Sequence, residues 1–284
     1  MIISDSIDEV RKVRKDDKDM TWGFVPTMGY LHDGHISLVQ RARNENDRVA
    51  ASIYVNPTQF APGEDLDSYP RALDRDLELL EAEGVDLVFT PANNMMYPPG
   101  FQTYVTVTEI TKLLEGSSRP THFQGVTTIV AKLFNIIQPT RAYFGQKDAQ
   151  QAVVLKQMVS DLNFDIELII CPIIREANGL AQSSRNKYLS AEQRERATIL
   201  NRALLKTQSA YLSGERNGEK LRQIMRSMVD QEKLATLDYV SVADPKTLIE
   251  LDDVAGEALL SMAVFFGNTR LIDNLLVGSK ASGS

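Results

Sequence analysis

The sequence predicts an α/β fold built on a parallel sheet, and three observations carry that prediction. Short apolar runs rich in β-branched and aromatic residues alternate with helix-period segments as far as Cys171, glycine turns separate many of them, and polar motifs fall just after predicted strands. Trp22 to Val25 reads as a buried strand, His35 to Asn44 carries Ile36, Leu38, Val39 and Ala42 at helical spacing, and Val49 to Val55 returns to strand character. A helix through Leu73, Leu77 and Leu80 closes at Gly84, followed by a strand from Asp86 to Thr90 and a helix from Phe123 to Ile137. A strand at Arg141 to Phe144, a helix at Asp148 to Asp161 and a strand at Ile166 to Cys171 complete the alternation. Parallel strands need crossovers and helices supply them, so the expectation is a Rossmann-like sheet covered on both faces, with ligands beyond the carboxyl ends of its strands.

Near residue 178 the character changes. Ala177-Asn178-Gly179 is a turn, and Ser190-Ala191-Glu192-Gln193 has the capping-box spacing that opens a long amphipathic helix. A helix near Lys220 to Val229 and strands at Leu237 to Val242, Leu259 to Phe266 and Thr269 to Ile272 then predict a smaller α+β domain. The expected division is 1–177 and 178–284, with the tail from Gly278 to Ser284 disordered for want of anything to bury.

Composition narrows the function classes. With 31 basic against 38 acidic residues, a net charge of −7, the surface lacks the clustered cations of a polyanion binder, so nucleic acid is not an expected partner. No apolar run approaches the ~20 residues of a membrane span, and Met1 to Lys18 has no apolar signal core, so the expected location is the cytoplasm. The single cysteine, Cys171, lies in the run Leu168-Ile169-Ile170-Cys171 and reads as a small buried hydrophobe.

Four segments carry candidate chemistry. Two of the three histidines stand in Pro26-Thr27-Met28-Gly29-Tyr30-Leu31-His32-Asp33-Gly34-His35, between the first predicted strand and helix. A strand-to-helix turn with glycines lets backbone N–H groups approach phosphate, and imidazoles can donate to phosphoryl oxygens. An isolated H-x-x-H would equally suit a metal or a helix start capped by Asp33, but no third His or nearby Cys completes a zinc set. Asn56-Pro57-Thr58-Gln59-Phe60 places two neutral amides after the next strand, where they could read substrate hydroxyls or simply brace a loop. In Gly145-Gln146-Lys147-Asp148-Ala149-Gln150-Gln151, Lys147 can meet phosphate and Asp148 ribose hydroxyls, the alternative being a solvated helix start. Gly179-Leu180-Ala181-Gln182-Ser183-Ser184-Arg185-Asn186 offers hydroxyls, amides and a guanidinium fork suited to triphosphate, although alone it would pass for a linker.

In combination, PTMGYLHDGH, VNPTQF, YPRALDRDLELL, RPTHFQGV, YFGQKDAQQ, LAQSSRN and RLIDN resemble, in order and spacing, the pantothenate synthetase family of the HIGH-type nucleotidyltransferase superfamily. That resemblance implies ATP-dependent condensation of (R)-pantoate with β-alanine through a pantoyl-adenylate. It implies an ATP site of Met28, Gly29, Tyr30, Leu31, His32, Asp33, Gly34, His35, Gly145, Gln146, Lys147, Asp148, Ile174, Gln182, Ser183, Ser184 and Arg185. His35, His32 and Lys147 would be catalytic, and Gln59, Gln151, Asn56, Tyr69 and Arg119 would hold pantoate, with Gln59 also near β-alanine. Mg²⁺ would accompany ATP with Asp76 as an outer-shell partner, the smaller domain would close over the site, and a homodimer is implied. Tyr30, Thr121, Gln124 and Gln182 depart from the family pattern, and His122, a polar ring near a glycine turn, reads as structural rather than catalytic.

Overall fold

The computed structural model describes residues 1–278 and divides them into two compact units, Met1–Gly145 with Val154–Pro172, and Gln146–Val153 with the chain from Ile173 onward. The tail expected to be disordered lies, from Ser279, outside the described residues. Among the described residues no helix is long and apolar enough to cross a membrane.

The first unit carries six parallel strands: β1 (Ile2–Ser4), β2 (Trp22–Thr27), β3 (Arg48–Ile53), β4 (Leu87–Phe89), β5 (Arg141–Gly145) and β6 (Glu167–Cys171), in the order β1-β4-β3-β2-β5-β6. The chain order reverses between β2 and β5, which in an open parallel sheet marks the crevice where ligands bind. Alternation along each strand fills both faces. Trp22 and Phe24 on β2 and Ala142 and Phe144 on β5 join the core with Phe134, while the interleaved Val25 and Tyr143 join the opposite core with Val39 and Leu80. Full burial of such a side chain contributes about 1.5–3 kcal/mol. Cys171 belongs to the second of these cores, and burial raises its thiol pKa, which disfavours the reactive thiolate.

The helices of this unit are α1 (Ile7–Asp16), α2 (Asp33–Glu45), α3 (Leu73–Ala82), the short α4 (Asn93–Met96) and α5 (Glu115–Ser118), and α6 (His122–Ile137). β1 and α1 were not among the expected elements. Their signals are present: Ser6 caps α1 through the Glu9 N–H, and Val10 is fully buried with Ile7 and Val13 packed on the same core. The dense charge of 1–18 masks that stripe.

Helix α7 (Ala149–Asp161) follows a 3-10 turn at Gln146–Asp148. In the second unit, β7 (Ala235–Ala243), β8 (Ala258–Phe266) and β9 (Thr269–Val277) form an antiparallel sheet in that order. Helices α9 (Ile199–Leu212) and α10 (Gly218–Asp230) cover it around a core of Leu204, Met225, Leu260 and Phe266. The capping box at Ser190 opens only the six-residue α8 (Ala191–Arg196) rather than a long helix. Ala197 and Thr198 turn with ψ near −15°, and the Thr198 hydroxyl donates to the Glu195 carbonyl, so the helix restarts at Ile199.

Candidate active site

In the first unit, the loop from β2 to α2 is built by strain and compensation. Gly29 has φ +83° and Tyr30 φ +52°, a conformation that side chains other than glycine rarely adopt. Asp76 on α3 offsets this: its carboxylate, 1% exposed, accepts the Tyr30 N–H at 2.6 Å and the Leu31 N–H at 2.8 Å. Neighbouring Arg75 donates to the Leu31 carbonyl at 3.0 Å and lies 5.7 Å over the Tyr30 ring. Asp76, expected as an outer-shell partner of Mg²⁺, is thus placed against the loop between β2 and α2 as its anchor.

The loop ends at His32, which caps α2 in place of Asp33. His32 Nδ1 accepts the Gly34 N–H at 3.1 Å, and His35 Nδ1 accepts the His32 N–H at 3.4 Å. Because both Nδ1 atoms accept from backbone, each neutral ring carries its proton on Nε2. The rings lie 4.1 Å apart. The result is a pair of fixed imidazole donors at the start of a helix, beside the carboxyl end of β2.

A second cluster follows β3. Asn56 is 1% exposed and fully engaged: its Nδ2 donates to Gln59 Oε1 at 3.2 Å and to the Gly125 carbonyl at 3.1 Å, while its Oδ1 accepts from Thr58 at 3.0 Å and Tyr97 at 2.9 Å. Gln59 Nε2 reaches Met28 Sδ at 2.9 Å, which joins this cluster to the loop between β2 and α2. Tyr69 is buried edge-on to Phe60, with centroids 5.9 Å apart. Arg119 makes a two-armed pair with Glu64, Nε to Oε1 and Nη2 to Oε2 both at 2.6 Å. Burial opposes ionisation of Glu64, but the hydrogen bonds and charge of Arg119 outweigh it and hold the carboxyl below its ordinary value. Tyr97 supplies a hydroxyl to the Asn56 cluster that sequence reading missed, because nothing local marks a residue 41 positions away in the chain.

The second unit gathers the other set. The turn Gln146–Asp148 is pinned by Asn274 on β9, whose Nδ2 donates to the Gln146 and Lys147 carbonyls, each at 2.9 Å, and whose Oδ1 accepts from Gln146 Nε2 at 3.0 Å. Adjacent Asp273, 2% exposed, holds Arg175 through contacts of 2.6 and 2.9 Å, and Arg175 donates to the Gly179 carbonyl at 3.1 Å. The Gln182 N–H, expected to face the nucleotide, donates to the Ile174 carbonyl at 2.9 Å, closing the hairpin that presents Ser183, Ser184 and Arg185. Ser183 caps their 3-10 turn through the Arg185 N–H. β9 packs against both turns, so RLIDN has a task the sequence left unstated: Asp273 and Asn274 bring the Lys147 turn and the Ser184–Arg185 turn under one strand. Gln151 stands in the first turn of α7, next to buried Gln150. Thr121 precedes α6 without a side-chain cap, and Gln124 donates to the Thr106 hydroxyl at 2.9 Å. Among the described residues no three His, Cys, Asp or Glu side chains form a metal-holding group.

This geometry has close counterparts. The Pantoate-beta-alanine ligase family matches residues 2–276 of the chain. A pantothenate synthetase of Roseiflexus sp. (strain RS-1) is 59% identical over 257 residues, which is 90% of this chain and 92% of that protein. The crystal structure of pantothenate synthetase from Thermus thermophilus has a TM-score of 0.92 at 46% identity, over 97% of this chain and 99% of that one. That of pantoate-beta-alanine ligase from Francisella tularensis, complexed with Beta-gamma ATP and Beta-alanine, has a TM-score of 0.79 at 37% identity, over 99% and 100%. A match along nearly the whole chain, with the donor-bearing loop at the sheet's switch point, places this protein in the pantoate–β-alanine ligase family.

Proposed function

We propose that the protein joins pantoate to β-alanine in two steps on MgATP. A carboxylate oxygen of pantoate attacks the α-phosphorus, the α–β phosphoanhydride bond breaks, and pyrophosphate leaves. The neutral amine of β-alanine then attacks the acyl carbon of the mixed anhydride, loses a proton and expels AMP. The observation that carries this reading is the His32–His35 pair, whose Nδ1 atoms are committed to backbone and whose protons therefore sit on Nε2, where they can be donated to phosphoryl oxygens as negative charge builds. Lys147 and Arg185 add positive charge and Ser184 a hydroxyl to the same task, while Asp148 takes ribose hydroxyls. Backbone groups of Met28 to Leu31 and of Gly145 and Gln146 line the nucleotide.

Gln59 and Gln151 hold pantoate, where neutral amides orient a hydroxy-acid without neutralising the carboxylate that must attack. Asn56 serves by fixing Gln59. Mg²⁺ would accompany ATP and supply positive charge to its phosphates, needing few protein ligands because it dehydrates reluctantly. Resemblance to the family also supports a cytoplasmic homodimer.

Exchange of labelled pyrophosphate into ATP tests the first step. Exchange that depends on pantoate and needs no β-alanine is expected, with AMP released only once β-alanine is added. Formation of ADP and phosphate would instead mean an acyl-phosphate ligase, and exchange with another acid in preference to pantoate would mean a different acceptor.

A further inference from the structure

We infer that His122 is a positioning residue for the pantoate amide Gln59, acting as a neutral donor that Arg119 and Glu64 hold in one tautomer. The inference rests on the reading that Gln59 holds pantoate. Gln59 ends the 3-10 turn Pro57–Gln59, which is weakly held by its own bonds: Gln59 N–H to the Asn56 carbonyl is 3.5 Å and Phe60 N–H to the Pro57 carbonyl 3.3 Å. Its orientation is therefore set from outside, and α6 does so with two residues one turn apart on one face, His122 and Gly125. A Cβ at Gly125 would lie 2.5 Å from the Thr58 carbonyl and 2.6 Å from the Gln59 nitrogen, so the helix touches the turn backbone directly.

His122 fixes what Gly125 only abuts. Its Nδ1–H donates to the Gln59 carbonyl at 2.8 Å, and its Nε2 accepts from Arg119 Nη1 at 3.3 Å. An arginine can only donate, so Nε2 must be the acceptor and the proton must sit on Nδ1, facing Gln59. Arg119 also donates to the same carbonyl from Nη2 at 3.3 Å, and Glu64 holds the guanidinium at two points. Arg119, expected to contact pantoate, also meets the Gln59 backbone, and the chain of contacts runs Glu64, Arg119, His122, Gln59. Burial, then the Arg119 charge, lower the His122 pKa to about 4 against the opposing pull of the Gln59 carbonyl, Glu115 and Glu64, so the neutral ring, with Nε2 able to accept from Arg119, persists at neutral pH.

The test uses pyrophosphate exchange to read KM for pantoate and for ATP separately. His122→Phe keeps the ring shape without the donor, His122→Gln places its amide near Nε2, and His122→Asn places its amide near Nδ1. His122→Phe and His122→Gln are expected to raise the pantoate KM roughly tenfold, the worth of one hydrogen bond, with the ATP KM within about twofold of wild type, and His122→Asn to restore most of the loss. In a Gln59→Ala background the His122→Phe effect should shrink below about twofold, as for residues acting through one another. The inference is overturned if pantoate KM is unchanged in His122→Phe and His122→Gln, if ATP KM rises in parallel, if Asn rescues no better than Gln, or if the effect persists in full without Gln59. Should His122→Phe fail to fold, the contrast between Asn and Gln still decides. A Gln59→Ala variant with wild-type pantoate KM would remove the reading of Gln59 and the inference together, whereas a raised KM there beside a silent His122→Gln would remove the inference alone.

Discussion

At the scale of single residues, His35 has two tasks that mutation separates. Its Nδ1 accepts the His32 N–H at 3.4 Å, a long contact of little stabilising weight, whereas its Nε2 is the donor assigned to the phosphates. His35→Ala should therefore lower pantoate-dependent pyrophosphate exchange by ~10²–10³-fold, the usual effect of losing one transition-state donor, while destabilising the fold by no more than about 1 kcal/mol. Exchange rates compared with a denaturant midpoint give both numbers, and a large stability loss with near-normal exchange would reverse the assignment. Candidate residues at this scale could be proposed from local strings: His32 and His35 share one turn, and Lys147 and Asp148 share another. Partners were not legible. Glu64 and Arg119 lie 55 positions apart, Gln146 and Asn274 lie 128 apart, and no spacing rule connects them.

Among the elements, α3 shows how one helix can serve a loop it never joins in sequence. Asp76 in its first turn accepts two amides of a loop that holds Tyr30 at φ +52°, so its anionic acceptors offset that backbone strain. Asp76→Asn exchanges one acceptor oxygen for an NH₂ that faces an N–H donor. The expected loss is about 1–3 kcal/mol of stability, with weakened ATP binding and little change in pantoate KM at saturating ATP. Thermal unfolding with nucleotide titration measures this, and ATP affinity equal to wild type would show that the loop holds its shape without the carboxylate. Strands and long helices announced themselves through period and burial, as in β2, α6 and β8. Where competing local features decided, the sequence pattern misled: charge hid α1, and two residues with altered ψ cut the expected helix into α8 and α9.

For the whole molecule, the half-buried neutral His122 ties global stability to pH. Its folded pKa of about 4 lies below the ordinary 6.5, so above pH 6.5 neither state is charged and the full stability is present. As pH falls from 6.5 towards 4, the unfolded chain binds a proton that the folded chain, its ring desolvated by burial and faced by Arg119, refuses against the opposing pull of Glu115 and Glu64. The fall from 6.5 to about 4 amounts to roughly 3 kcal/mol lost across the window. Denaturant unfolding at pH 7 and pH 4.5 should show the loss in wild type and a smaller one in His122→Asn; equal losses would mean that carboxylates carry the acid sensitivity. By itself, the sequence determined the α/β class and the alternation of elements, and it located the strings proposed to carry chemistry, because hydrophobic period and turn residues act over a few positions. Only the tertiary structure decided that Gln146–Val153 group with residues from Ile173 onward, that Asp76 anchors the loop between β2 and α2, and that His122 faces Gln59. Each of those depends on which distant backbone groups come within hydrogen-bond reach once the apolar faces are buried, and that is a property of the packed chain as a whole.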